Sequence, residues 1–250
     1  MAAPTLRIQI CGRIIVEQEG RRLEQELPGP QGRRAFAFLV LRRHELTSRS
    51  QLCDALWQDA ETVSDSTVMA LLSKVRRVLP VQLSGGQLRL VLPPDVWIDL
   101  EAARDAIHRA ETAVAQAQWG RAWGAAQTAL FAARRGFFPG ETADWIETVS
   151  RELRLIHERA LESYAGAALN IGATELATAE RASRELIALA PLRESAHRLL
   201  MESLIQRGNT AEALAGYEQL RQRLRSELGV DPSPATQSLY RRTLGLTVPD

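Results

Sequence analysis

Apolar positions along this chain change period twice. At the start they alternate. Leu6, Ile8 and Ile10 fall on one side with Arg7 and Gln9 between them, the period of a half-buried strand. Gly12 breaks the run, Ile14-Ile15-Val16 resumes it, and Glu19-Gly20 reads as a turn. Leu23 to Leu27 predicts a third strand, so the opening is a small antiparallel meander that ends at Pro28-Gly29-Pro30.

A helical period then takes over. Residues 32–44 predict a helix on the spacing of Phe36, Leu39 and Val40, with Arg33 and Arg34 at its start. Ser48 is placed to cap a short helix that holds Leu52, Ala55, Leu56 and Trp57. Ser64 or Asp65 caps a third helix that runs to Leu79 and stops at Pro80. Gln82-Leu83-Ser84 and Gln87 to Leu92 flank Gly85-Gly86, which predicts a hairpin. Sheet, three helices and hairpin together give an α+β winged helix-turn-helix layout.

The second change follows Pro93-Pro94. From Asp99 onward no strand signal remains, and Ala, Leu, Glu and Arg dominate. Turns near Gln118–Gly120, Pro139-Gly140, Gly172, Pro191 and Gly208 leave room for about seven helices. Ala179 and Ala213, Ser183 and Tyr217, and Leu186 and Leu220 recur at a spacing of 34 residues, which is the tetratricopeptide period. Each such helical hairpin cannot bury its own apolar face and stacks on the next. The expected organisation is a winged helix over residues 1–95 and an all-α, tetratricopeptide-like domain over residues 96–250.

The third helix carries the candidate chemistry. At about 100° per residue, Val68, Leu71, Leu72, Val75, Val78 and Leu79 share one arc. The opposite arc holds Ser66, Thr67, Met69, Ala70, Ser73, Lys74, Arg76 and Arg77: three positive charges, several small side chains, and no carboxylate. Small residues let a helix sit deep in a major groove about 12 Å wide. Lysine and arginine reach phosphates or guanine edges, where a carboxylate is repelled. Arg89 on the hairpin is the candidate wing contact, and Arg33, Arg34 and Arg49 at helix starts are candidate phosphate contacts.

Charge agrees in sign. The net charge is +1, but residues 1–95 carry 13 Lys plus Arg against 10 Asp plus Glu, and the remainder 18 against 20. Enzyme chemistry finds little purchase. Lys74 is the single lysine, preceded by Ser73 with no glycine nearby, so it fits no phosphate-binding loop. His44, His108, His157 and His197 are scattered, and Cys11 and Cys53 follow no metal spacing. Neither a metal nor a cofactor is expected, and the chain reads as non-enzymatic. With no run of about 20 apolar residues and no signal-peptide pattern at Met1-Ala2-Ala3-Pro4-Thr5, a cytoplasmic location without membrane contact is expected.

Ala190 to Met201, Arg207 to Leu214, Tyr217-Glu218 and, most specifically, Glu227-Leu228-Gly229-Val230-Asp231-Pro232-Ser233-Pro234 resemble the bacterial transcriptional activator domain of SARP-type, antibiotic-regulatory activators. Leu56-Trp57, Leu72 to Leu79 and Gly86 to Leu90 resemble the OmpR-like winged helix that precedes it, with Leu88 standing where the family wing carries an aromatic. The resemblance implies sequence-specific binding to double-stranded promoter DNA and activation through RNA polymerase. It also implies a helical domain that mediates self-association or senses a signal. In that frame Ala70 and Lys74 fall where bases are read, and Ser73, Arg76 and Arg77 near the backbone. The competing reading is a protein-interaction adaptor that uses the tetratricopeptide-like groove, and the apolar stretch Met69-Ala70-Leu71 speaks for it.

Overall fold

The computed structural model describes residues 5–57 and 63–245. The chain forms two compact units. The first comprises residues 1–102 together with 135–153, and the second residues 103–134 and 154–250. A single cut in the sequence near residue 95 does not reproduce this division, because the short segment 135–153 folds with the N-terminal residues.

The first unit opens with β1 (Leu6–Gln9), β2 (Ile15–Gln18) and β3 (Arg21–Arg22). Leu6 and Ile8 are buried while Arg7 is exposed, as the alternation predicts. The expected third strand at Leu23–Leu27 is not formed. The strand ends at Arg22, and Glu24–Glu26 is a 3-10 turn. Its cause is the buried Glu24, whose carboxylate accepts from Val16 N at 3.2 Å and from the Arg22 guanidinium at 2.6 Å. An apolar-flanked run reads as a strand by pattern, but a carboxylate drawn inward to two donors coils the backbone.

Helix α1 (Gly29–Leu41) begins three residues before the predicted start, with Pro30 inside its first turn. Strand β4 (Thr47–Ser48) leads into α2 (Arg49–Leu56), where Ser48 and Gln51 form a reciprocal capping box. Helix α3 (Asp65–Val78) is capped by Ser64, and β5 (Val81–Ser84) and β6 (Gln87–Leu90) form the predicted hairpin. Gly85 and Gly86 both have positive φ, 58° and 78°, the two left-handed positions that a two-residue hairpin turn of this kind requires. Two short strands have no counterpart in the sequence reading. β4 pairs antiparallel with β6, and β7 (Trp97–Ile98) pairs parallel with β1. The sheets are ordered β3-β2-β1-β7 and β4-β6-β5.

One buried carboxylate ties the distant segment in. Asp99, 1% exposed, accepts from Ile10 N at 2.9 Å, Cys11 N at 3.1 Å and Arg135 Nη2 at 2.8 Å. Arg135 Nε also donates to Cys11 O, and Gly12 N donates to Gly136 O at 2.7 Å. Gly12 is required here twice over. Its φ is +73°, and a Cβ would lie 2.9 Å from Arg135 Cβ. Trp145 Nε1 donates to Ala55 O at 2.9 Å, its ring meets Phe38 edge-on at 5.4 Å, and Arg34 pairs with Glu141.

From Asp99 on, the chain is helical: α4 (Asp99–Ala115), α5 (Trp119–Ala133), α6 (Asp144–Ile171), α7 (Leu176–Leu189), α8 (Glu194–Gln206), α9 (Thr210–Leu228) and α10 (Pro234–Thr243). Among the described residues there are seven, in keeping with the expected number of about seven, and the break between α9 and α10 is one that the named turns do not include. The repeat positions Ala179, Ser183, Leu186, Ala213, Tyr217 and Leu220 are all buried, which is why a 34-residue period is visible at all. In the second unit Met201, Leu204, Ala213, Tyr217 and Leu239 form one core cluster, with Tyr217 stacked on Tyr240 at 3.9 Å. The segment after Gly229 has a plain structural role: Ser233 N and Oγ donate to the Glu194 carboxylate, which fastens the start of α10 to the start of α8.

Candidate nucleic-acid interface

Ser64 Oγ accepts from Thr67 N at 3.3 Å and starts α3, and the Leu79 N–H closes its last turn on Val75 O. Burial then sorts its residues into two faces. Val68, Leu72, Val75 and Val78 are at most 4% exposed, and Leu71 is half-buried. These residues hold the helix to its scaffold, where α3 meets α1, the 3-10 turn and β5. Ser66, Thr67, Met69, Ala70, Ser73, Lys74, Arg76 and Arg77 are all exposed. The eight residues expected to face outward therefore lie together on one solvent face.

Not all of the expected cations are equally available. Lys74 and Arg77 extend from the outward face of α3. Arg76 shares that face, but its Nε donates to Val81 O at 3.0 Å, so it also holds the helix against β5. Arg49 is paired with Asp65 across the starts of α2 and α3, which lowers the Asp65 pKa below the ordinary carboxylate range. Arg34 is paired with Glu141 and half-buried, whereas Arg33 is exposed at the start of α1. Residue type alone does not separate these three, because Glu141 lies 107 positions from Arg34.

On the hairpin, Arg89 is exposed and lies across from Gln82. Gln87 and Ser84 form the next exposed cross-strand pair, so the outer face of the wing offers amides and a hydroxyl beside the arginine. Of these three, Gln87 is signalled by its alternation with buried Leu88 and Leu90, whereas Gln82 and Ser84 lie on β5, where only Val81 is buried and no alternation marks them. Leu88 is 1% exposed and packs in the core. A face with three cations, hydroxyls and small side chains attracts polyanions through local charge, which matters more than the whole chain's +1.

Two family patterns match the chain. Residues 98–244 match the bacterial transcriptional activator domain, and residues 28–88 match the transcriptional regulatory protein, C terminal, family. The regulatory protein AfsR of Streptomyces coelicolor is 31% identical over 244 residues, covering 96% of this chain and 24% of that protein. The chain thus spans about a quarter of the length of that relative. The transcriptional regulatory protein MoaR1 of Mycobacterium tuberculosis is 23% identical, covering 97% of this chain and 80% of that protein. Among solved structures, Mycobacterium tuberculosis EmbR in complex with a low-affinity phosphopeptide shares the fold with a TM-score of 0.72 at 20% identity, over 99% of this chain and 67% of that one. With more than half its length in the activator-domain match and an OmpR-like winged helix ahead of it, the chain belongs to the bacterial transcriptional activator domain family, in its SARP-type arrangement.

Proposed function

We propose that this chain is a DNA-binding transcriptional activator that reads duplex promoter DNA. The outward face of α3 enters the major groove, with Ala70 and Lys74 toward base edges and Ser66, Thr67, Met69, Ser73, Arg76 and Arg77 around them or at the backbone. Arg89 on the β5–β6 hairpin contacts phosphate or the minor groove, and Arg33 touches backbone at the start of α1. Arg34 and Arg49 take part only where phosphate displaces their carboxylate partners, so their share is smaller. The work is binding and not bond-making. RNA polymerase is the partner through which activation passes, and the helical domain supplies self-association or signal sensing.

The observation that carries this reading is the exposed, carboxylate-free face of α3 from Ser66 to Arg77, held out by a fully buried opposite face. Among the described residues no helix is long and apolar enough to cross a membrane.

The test is fluorescence-anisotropy binding to promoter fragments of the source genome. The reading predicts saturable binding to a subset of fragments, and run-off transcription from those fragments that rises when the chain is added with RNA polymerase. Met69, 41% exposed beside Ala70, favours the adaptor reading instead. Uniform binding no tighter than about 10⁻⁴–10⁻⁶ M on every fragment contradicts the activator and supports the adaptor.

A further inference from the structure

Several arginines of the second unit face carboxylates. Arg159 pairs with Glu111, Arg134 with Glu185, Arg193 with Glu158 and Glu162, and Arg184 with Glu212. Of those that make no ion pair, two lie at the same place. Arg109 on α4 and Arg121 on α5 line one pocket of about 550 Å³ together with His108 and Gln116. None of the residues lining it is acidic. Among the described residues neither arginine makes an ion pair, and Arg121 donates only to the Gln118 side chain, at 3.0 Å. The nearest acid in sequence on α4, Glu111, is held by Arg159. Ala113 and Ala125 add an apolar wall.

From this we infer that the α4–α5 pocket binds a small phosphorylated molecule. Two guanidiniums on facing helices present planar forks of N–H donors, which match the oxygens of a phosphate monoester and form charge-assisted hydrogen bonds to it. His108 and the Gln116 amide add donors at the same pocket. The volume lies within the range of small-molecule sites, about 300–1,000 Å³, and exceeds what inorganic phosphate alone fills. The alanine wall suits an uncharged organic portion. The site is separate from the α3 face and does not depend on it.

The test uses the full chain, with backbone-amide NMR titrations of inorganic phosphate and of ribose 5-phosphate at constant ionic strength. The expected result is saturable shifts confined to residues 105–125, weakened at least about tenfold in the Arg109→Ala/Arg121→Ala double variant. Both side chains are exposed, so the variant keeps its fold, and unchanged thermal unfolding checks this. Tighter binding of ribose 5-phosphate identifies an organic phosphate as the ligand; equal affinity identifies free phosphate. Shifts that do not saturate, or that persist undiminished in the double variant, overturn the proposal.

Discussion

Arginine serves two different purposes in this chain. In the helical unit, Arg134 reaches Glu185 at 2.6 Å and Arg193 reaches Glu162 at 3.1 Å, and pairs of this kind join one helix to another. On α3, Lys74 and Arg77 have no carboxylate partner among the described residues, and the neighbouring positions are small or polar. A paired arginine has its charge answered from within. An unanswered row on one rigid face is complementary to an anion from outside. The contrast separates cations that build the fold from cations available to a partner, which residue type alone does not.

The two faces of α3 itself differ most. Leu72, 1% exposed, belongs to the face that builds; Leu72→Ala is expected to cost about 2–5 kcal/mol in denaturant unfolding through lost burial and the cavity left behind. Arg77 belongs to the other face. Arg77→Glu is expected to weaken promoter binding by roughly 10–100-fold, about 1.4–2.8 kcal/mol, while unfolding stays within about 0.5 kcal/mol of the parent. An Arg77→Glu protein that loses stability while keeping its DNA affinity per folded molecule would contradict this division of the two faces.

Arg22 shows that the N-terminal unit also uses paired arginines. Its guanidinium, with Val16 N, holds the Glu24 carboxyl down at about 2, against an ordinary 4.5. A depressed folded-state pKa adds stability above the unfolded value, and that stability is lost as pH falls from about 4.5 toward 2. Glu24→Gln is therefore expected to lower stability at neutral pH by about 2 kcal/mol and to flatten the acid limb of the unfolding profile. Equal pH slopes in the two proteins would remove Glu24 from this role. The smallest effect belongs to the half-exposed pair Arg159–Glu111. Arg159→Ala should cost no more than about 1 kcal/mol and leave DNA affinity unchanged.

How much of this was legible in the sequence depends on how far apart the determining contacts lie. Ser48 and Ser64 cap helices from within three residues, and the Gly85-Gly86 turn is local, so all three were readable. The two faces of α3 were readable because burial repeats with the helical period. Asp99 and Arg135 were not: Arg135 meets Cys11 across 124 positions, and no period records that. Leu23–Leu27 misled because an inward-facing Glu24 breaks the rule that charge points outward. Among the helix-start candidates, residue type does not separate Arg34 and Arg49 from Arg33; Glu141 and Asp65 beside them do.

The claim that α3's open face meets DNA is tested most directly by the salt dependence of promoter affinity, measured for the parent chain and for Arg77→Ala. Each phosphate neutralised contributes a slope of about −0.9 in log K against log salt. The account predicts a steep slope for the parent that becomes shallower by about 0.9 in the variant. Identical slopes would mean that Arg77 meets no phosphate and would contradict the assignment of this face.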